Sequence, residues 1–295
     1  MLSQVYQQAQ EFDIIHCHTD YLGLPLARLV ATPTLITLHG RLDVPDLVPL
    51  YAAHREVPLI AISDAQRRSL PDAGWLATVH HGVPAANYPW VGQRGSYLLF
   101  LGRISPQKRP DLAIRVARRA GIPLRIAAKI DPIDQDYFVH HVEPLLDDPL
   151  IEFLGEVGEA EKAALLGGAL ALLFPIDWPE PFGLVMIEAL ACGTPVIARP
   201  CGSVPEVIAD GVTGYIADGE DELVAAVARV HRLDRAVCRA EFDRRFSAGA
   251  MCQRYLEVFT RLLDREASPH RSLRDDTASA RKERHAATFA THPHR

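Results

Sequence analysis

Two glutamates stand eight positions apart in "WPEPFGLVMIEALACGTPVIA", residues 178–198. Glu180 falls in a proline-rich loop, and Glu188 falls about two turns into the helix-like run that follows. An ionised carboxylate only accepts hydrogen bonds, and its two oxygens match the two hydroxyl donors of a vicinal diol such as a ribose. The pair could therefore hold both ends of a nucleotide sugar. The same spacing also fits a helix with one exposed glutamate and one capping glutamate.

Groups suited to phosphate lie beside this pair and in an earlier loop. A helix that starts near Phe182, with Gly183, would offer unpaired backbone N–H groups and a partial positive charge. The run "FLGRISPQKRPDLAI" ends a strand at Gly102 and then places Arg103 and Lys108 ahead of a helix. Two cations at the carboxyl end of a strand could stabilise the negative charge that builds on a departing diphosphate. Alternatively, both are solvated basic residues on a loop.

The elements that must position these groups are short apolar runs that alternate with runs of helical period. The predicted strands are "FDIIHCH", "PTLITLH", "PLIAIS", "TVHHGV", "YLLFLG", "LRIAAKI", "IEFLGE", "LALLFP", "TPVIAR" and "GYIA". Continuous Val/Ile/Leu runs are typical of parallel strands that helices cover on both faces. Ser63 is expected to be an N-cap, Pro110 to be a first helical residue, and Gly121 and Gly193 to end helices. The alternation predicts an α/β doubly wound fold.

The stretch "HGVPAANYPWVGQRGS", residues 81–96, interrupts this alternation and predicts a linker between two lobes. We expect an N-terminal lobe over residues 1–88 and a C-terminal lobe over residues 89–265, with closing helices at about residues 240–264. The tail, residues 266–295, contains only two large apolar residues. It is therefore expected to be disordered.

Composition restricts the partners and the compartment. The formal net charge of -6 gives no electrostatic reason to expect nucleic acid. The five cysteines form no C-x-x-C pair, which favours reduced thiols and a cytoplasmic location. No apolar run approaches the ~20 residues of a membrane span, so no transmembrane segment is expected. Peripheral contact with a membrane stays open.

Several motifs together resemble a known enzyme family. "GRISPQKRPDLAI", "FLGEV", "FPIDWPEPFGLVMIEALACGTPVIA" and "CGSVPEVIADGVTGYI" resemble, in order and spacing, the donor-binding lobe of family-four retaining glycosyltransferases of the GT-B fold. "EFDIIHCHTDYLGLPLARL", "TLITLHGRLD" and "PLIAISDAQRR" resemble its acceptor lobe, so the likeness covers about residues 11–264. Family members usually begin with a strand and a loop of the G-G-x-E kind. No such segment precedes "EFDIIHCH", and a truncated N-terminal lobe is therefore expected.

The resemblance implies two Rossmann-like lobes, a sugar nucleotide as donor substrate, with UDP favoured, and no metal ion or other cofactor. It implies that Glu188 binds the ribose hydroxyls, while Glu180 contacts hydroxyls of the donor sugar and His39 faces the transferred sugar. The implied catalytic residues are Glu180, His39, Arg103 and Lys108. The implied donor-binding residues are Gly102, Arg103, Lys108, Lys129, Glu180, Phe182, Gly183, Leu184 and Glu188.

Other polar residues fit more than one role. His16 and His18 could line the cleft or be hydrogen-bonded structural histidines, and Lys129 could be a solvated lysine. Glu206, in "SVPEVI", matches a recurrent family glutamate, and support of a helix end is favoured over ligand contact. The D-x-D formed by Asp134 and Asp136 is expected to be a polar helix start rather than a metal site.

The sequence thus predicts a retaining glycosyltransferase that moves a hexose from a nucleoside diphosphate sugar to a hydroxyl acceptor of unknown identity. The alternative is a nucleotide-sugar-binding protein whose catalysis is impaired because the N-terminal segment is missing. An epimerase or phosphorylase on the same fold stays open. A dinucleotide-dependent oxidoreductase is disfavoured because no G-x-G-x-x-G follows any predicted strand.

Overall fold

The computed structural model describes residues 1–90, 92 and 95–265, so the expected tail at 266–295 lies outside the described residues. Two parallel sheets are present within them. The first sheet has the strand order β1-β2-β3-β4. Its strands are β1 (Ile15–Cys17), β2 (Thr34–Thr37), β3 (Leu59–Ala61) and β4 (Trp75–Thr78).

The second sheet has six parallel strands in the order β10-β9-β8-β5-β6-β7. Its strands are β5 (Tyr97–Ile104), β6 (Leu124–Ile130), β7 (Ile151–Gly155), β8 (Ala169–Phe174), β9 (Val196–Ala198) and β10 (Gly214–Ile216). This is the strand order of a doubly wound nucleotide-binding domain, in which the chain direction across the sheet reverses between β5 and β8. Ligands of such sheets bind beyond the carboxyl ends of the strands at this reversal.

Helices cover both sheets in the described part of the chain. They are α1 (Leu2–Gln7), α2 (Leu24–Ala27), α3 (Leu47–Ala52), α4 (Asp64–Arg68), α5 (Pro110–Ala120), α6 (Gln135–Tyr137), α7 (Glu159–Gly168), α8 (Leu184–Ala191), α9 (Val204–Val207), α10 (Glu220–Arg229), α11 (Arg235–Arg245) and α12, over residues 248–265. Among the described helices, none has both the length and the apolar character that a bilayer crossing requires.

The α/β fold with parallel sheets is confirmed, and local signals located most elements. The Ser63 hydroxyl accepts a hydrogen bond from the Gln66 amide and caps α4, and α5 begins at Pro110. Gly121 ends α5 with a φ of 64°, in the left-handed region that favours glycine. The strand predicted at "TVHHGV" is wrong, since β4 ends at Thr78. The Val79 amide still donates to the Ala61 carbonyl (2.8 Å), and the chain then leaves the sheet, where Val83 forms a bridge with Ser247.

The last two helices pack on different lobes. In α11, Cys238 and Phe242 are buried in the core around α8 of the second lobe. In α12, Val258 and Leu262 pack against β2 and β3 in the core of the first sheet. The proposed lobe boundaries place both helices in the C-terminal lobe by chain position. By packing, α12 belongs with the first sheet.

A buried arginine at the start of α11 ties the second lobe together. The Arg235 guanidinium donates from Nη1 to the Ala169 carbonyl (2.7 Å). Its Nη2 donates to the Gly167 carbonyl (2.9 Å) and to the Thr194 hydroxyl (2.8 Å). One side chain therefore holds the end of α7, the start of β8 and the turn before β9.

We expect Arg235→Met to lower the free energy of unfolding by about 3 kcal/mol, because buried acceptors lose charge-assisted donors. Denaturant unfolding would measure the change. The matched control is Arg232→Met, since Arg232 is exposed and its loss should change stability by no more than about 0.5 kcal/mol. Equal effects of the two substitutions would contradict this structural role.

Candidate functional site

A cavity of about 570 Å³ lies between the two lobes, beyond the carboxyl ends of β2, β5 and β8. The predicted site residues that line it are His39, Gly102, Lys108, Glu180, Phe182, Gly183 and Leu184. A second cavity of about 260 Å³ adjoins it and shares Leu101, Gly102 and Val185. Lys129 and Glu188 line this smaller cavity. The two glutamates of the E-x7-E spacing therefore face neighbouring parts of one crevice.

Glu180 is buried beside a cation. Only 9% of its surface is exposed. The Lys108 ammonium group forms an ion pair with Glu180 Oε2, and Trp178 Nε1 donates a hydrogen bond of 3.0 Å to the same oxygen. Lys108 Nζ also lies 5.5 Å and 5.4 Å from the ring centroids of Phe174 and Trp178. The positive charge of Lys108 thus balances the negative charge of the Glu180 carboxylate beside two aromatic rings.

The loop that carries Glu180 is fixed by the segment after β9. A Cβ on Gly202 would lie 2.3 Å from the Glu180 carbonyl oxygen, and the φ of Gly202 is 57°. The Ser203 amide donates to that carbonyl (3.0 Å), and the Ser203 hydroxyl donates to the Phe182 carbonyl (2.7 Å). These supporting residues were not predicted, because their contacts are made between segments distant in the chain.

Glu188, on α8, is also buried. Its Oε1 accepts hydrogen bonds from the Tyr88 hydroxyl (2.8 Å) and from Lys162 Nζ (2.9 Å). Burial and the negative charge of Glu188 raise the pKa of Tyr88 to about 12. An exposed helical glutamate, which the sequence left open, is excluded by these contacts. Sequence reasoning missed Tyr88 and Lys162.

Arg103 and Lys129 lie at the ends of β5 and β6 and face carboxylates. Arg103 Nη1 is 3.5 Å from Asp131 Oδ2, and its Nε is 3.4 Å from Asp134 Oδ2. Lys129 Nζ is 3.0 Å from Asp131 Oδ1. Arg103 is not among the residues that line the two cavities. Arg103 and Lys108 thus pair with different carboxylates.

The aspartates of the D-x-D lie apart from both cavities. Asp134 pairs with Arg103, and Asp136 is in the short helix α6. Across residues 1–90, 92 and 95–265, no group of three or more His, Cys, Asp or Glu side chains is placed to hold a metal ion.

Histidines form the first-lobe wall of the larger cavity. His39 shares a hydrogen bond with His18 (2.8 Å), and its ring stacks on that of His81 at a centroid distance of 5.3 Å. His39 and His81 line the cavity. His16 instead bonds the Thr37 hydroxyl (2.8 Å) and packs beside α12. Of the predicted histidines, His39 alone is a cavity residue, and His81 was missed.

Burial keeps two of these histidines neutral. Burial, and then the neighbouring histidines, lower the pKa values of His16 and His81 to about 4. The unfolded chain, with an ordinary value of 6.5, therefore binds more protons than the folded protein between about pH 6.5 and pH 4. Stability from these groups is complete above pH 6.5 and is lost as the pH falls through this window.

We expect the melting temperature to fall on acidification from pH 7 towards pH 4.5, and to fall less steeply in His81→Phe, which keeps a stacked ring. Calorimetry across this pH range would measure the slope. His231→Gln, at an exposed position, is the control and should retain the full slope. An unchanged slope in His81→Phe would show that His81 is not held neutral by the fold.

Glu206 joins the two lobes. From α9 in the second lobe, its Oε2 accepts from the Asp64 amide (2.7 Å) and its Oε1 accepts from the Ala65 amide (2.6 Å). These amides belong to the first turn of α4 in the first lobe. His80 Nε2 lies 3.3 Å from the same carboxylate. Glu206 therefore supports a helix end, as expected, but the helix belongs to the other lobe.

The same short helix holds loops on both sides of the larger cavity. The Ser63 hydroxyl donates to the Pro181 carbonyl (2.6 Å), next to Glu180. The Gln66 side chain donates to the carbonyls of Leu38 (3.0 Å) and Gly40 (2.8 Å), which flank His39. Helix α4 thus fixes the spacing between the His39 loop and the Glu180 loop.

We expect Glu206→Gln to lower the free energy of unfolding by about 1–2 kcal/mol at pH 7, because α4 loses an anionic cap. Burial acts to raise the pKa of Glu206, but bonds from His80 and the two amides outweigh it and hold the pKa below its ordinary value of 4.5. The difference from the parent protein should therefore persist above pH 4.5 and shrink below it.

Thermal unfolding of both proteins between pH 7 and pH 3.5 tests this dependence. Glu257→Gln, at an exposed position on α12, provides a charge-matched control that should change stability little at any pH. A deficit in Glu206→Gln that stays constant down to pH 3.5 would contradict an ionised cap.

Comparison with known proteins identifies the family that this chain matches. Residues 92–248 match the family described as "Glycosyl transferases group 1". The D-inositol 3-phosphate glycosyltransferase of Frankia alni is 33% identical over 190 residues, which cover 60% of this chain and 46% of that protein. The protein of the same name from Mycobacterium leprae is 31% identical over 276 residues, which cover 78% of this chain and 64% of its own length. The chain thus spans less than two thirds of these curated relatives.

The architecture is similar to that of AviGT4, a glycosyltransferase involved in Avilamycin A biosynthesis. The two superpose with a TM-score of 0.71 at 22% identity over 90% of this chain and 78% of AviGT4. Anabaena HepE, solved in complex with UDP and glucose, superposes with a TM-score of 0.71 at 21% identity. The superposition covers 88% of this chain and 81% of the HepE chain. That likeness shows the GT-B fold. The family match covers more than half of the 295 residues, and the chain therefore belongs to the group 1 glycosyl transferases.

Proposed function

We propose that the chain acts as a retaining glycosyltransferase that moves a hexose from a nucleoside diphosphate sugar to a hydroxyl acceptor. The observation that carries the proposal is the position of the Lys108–Glu180 pair and of Glu188 along two adjoining cavities. These cavities lie where an open α/β sheet of this strand order binds ligands. Because Anabaena HepE was solved with UDP and glucose, UDP is the favoured nucleoside diphosphate. The proposed reaction uses no metal ion or cofactor.

The two cavities suggest how the donor would lie. The ribose would occupy the smaller cavity against Glu188, with Lys129 near the base or a phosphate. The hexose and the diphosphate would occupy the larger cavity against Glu180 and Lys108. The backbone amides at the start of α8, beside Gly183, would add donors and a partial positive charge toward the diphosphate.

Bond cleavage between the hexose and the diphosphate leaves negative charge on phosphate oxygens. The Lys108 ammonium group lies over two aromatic rings, where its attraction for that charge is stronger than in bulk water. It forms an ion pair with Glu180. The donor would therefore part this pair, with Lys108 turning to phosphate and Glu180 to sugar hydroxyls. Arg103 would join only by leaving its aspartate partners.

The first-lobe wall would face the acceptor. Burial lowers the pKa values of His39 and His81, so both rings are neutral at pH 7 and offer hydrogen bonds rather than charge. The acceptor hydroxyl would attack on the face that the diphosphate leaves, and a phosphate oxygen would take its proton. Enclosure between the lobes would keep water from hydrolysing the donor.

Nucleotide binding is tested first, by thermal unfolding with UDP, GDP and ADP and with their glucose forms. A ligand at a hundred times its dissociation constant should add about 2.7 kcal/mol to the stability of the site that binds it. We expect a shift with UDP and UDP-glucose that is lost in Glu188→Ala. It should be retained in Glu161→Ala, whose side chain is exposed on α7. No shift with any nucleotide would overturn the donor site.

Transfer is tested with UDP-glucose and an acceptor series that includes D-inositol 3-phosphate, with NMR of the product. We expect a product with the anomeric configuration of the donor. The double variant Lys108→Met/Glu180→Gln, which leaves no buried charge behind, should slow transfer by about a hundredfold or more. Binding without transfer would favour a nucleotide-sugar-binding protein, and an inverted product would exclude the retaining route.

A further inference from the structure

We propose that Lys162 and Tyr88 are positioning residues that hold Glu188 so that its second oxygen is presented to a ribose hydroxyl. Lys162 and Tyr88 together would then determine selectivity for ribonucleotides over deoxyribonucleotides. The inference rests on the proposed function, since it concerns the carboxylate assigned there to the ribose.

The two donors converge on one oxygen. Both the Tyr88 hydroxyl and Lys162 Nζ bond Oε1 of Glu188, at 2.8 Å and 2.9 Å. A carboxylate has two oxygens, each able to accept more than one hydrogen bond. Two donors on Oε1 restrain rotation of the carboxylate and turn Oε2 toward other partners. Glu188 lines the smaller cavity, so a ligand there would meet that oxygen.

The donors come from separate parts of the chain. Tyr88 belongs to the segment that joins the two sheets, and Lys162 lies on α7, which packs beside α8. Lys162 also pairs with Glu159 Oε2 (2.9 Å), and its Nζ lies 5.7 Å from the centroid of the Tyr88 ring. The ammonium group therefore has two contacts in addition to the one with Glu188.

The positive charge of Lys162 also acts on Glu188. Only 8% of Glu188 is exposed, and a buried carboxylate is strongly destabilising unless a cation pairs with it. Burial lowers the pKa of Lys162, but its bonds to Glu188 and Glu159 outweigh burial and raise that pKa. Lys162 thus stays charged at neutral pH and compensates the charge of the buried Glu188 carboxylate.

The test is calorimetric titration with UDP, 2′-deoxy-UDP and 3′-deoxy-UDP. We expect the parent protein to bind UDP more tightly than at least one deoxy analogue. Tyr88→Phe should weaken UDP binding by about threefold to tenfold, the loss that one hydrogen bond produces. It should leave the affinity for that deoxy analogue unchanged, because the analogue lacks the hydroxyl that Glu188 would hold. Melting temperatures establish that each variant is folded.

Two further variants separate positioning from packing. Lys162→Arg keeps the cation and should retain the preference for UDP, whereas Lys162→Met/Glu188→Gln should lose it without leaving a buried charge. Tyr97→Phe removes a hydroxyl that donates to the Leu165 carbonyl and should leave both affinities unchanged.

Three outcomes overturn the inference while UDP still binds. They are equal affinity of the parent protein for all three ligands, equal weakening of UDP and the deoxy analogues by Tyr88→Phe, and no change in any affinity. Failure of the parent protein to bind any nucleotide would instead overturn the proposed function, and the inference with it.

Discussion

Glu180 and Glu188 are both almost fully withdrawn from water, and an unpaired buried carboxylate costs several kcal/mol. Each therefore needs its own cation, which Lys108 supplies to one and Lys162 to the other from elements that precede α8. The pairing of each glutamate with its lysine connects loops and helices from different parts of the second lobe. It also balances the negative charge of both glutamates within the crevice.

A second constraint acts between the lobes through α4. The first-turn amides of an α-helix have no acceptor within the helix, and in α4 Glu206 of the other lobe accepts from two of them. Ser63 and Gln66 extend the contact to the loops of Glu180 and His39. A displacement of either lobe would therefore disturb both walls of the larger cavity together, which links the geometry of the site to the relative position of the lobes.

Local features were predictable from sequence, and contacts between distant segments were not. Continuous apolar runs located nine of the ten strands, because parallel strands are buried on both faces. The valines of "TVHHGV" suggested a strand, but the segment leaves the sheet and His81 lines the larger cavity. The strand ends indicated that Lys108 and Glu180 each follow the carboxyl end of a strand, but their ion pair was not predicted. Tyr88 and Glu188 are 100 residues apart, and no periodicity encodes such a pair. The orientation of Arg103 toward Asp131 likewise depends on side-chain direction.

The return of α12 to the first sheet has a consequence for the order of folding. Val258 and Leu262 fill the core beside Leu35 and Ile60, so the last helix of the described chain completes a hydrophobic layer that strands of the first lobe begin. On the ribosome, β2 and β3 emerge long before the helix that covers them. Until α12 is synthesised, an apolar face of the first sheet is exposed and can form non-native contacts. The second lobe is built largely from one continuous stretch, β5 to α11, which is synthesised before α12.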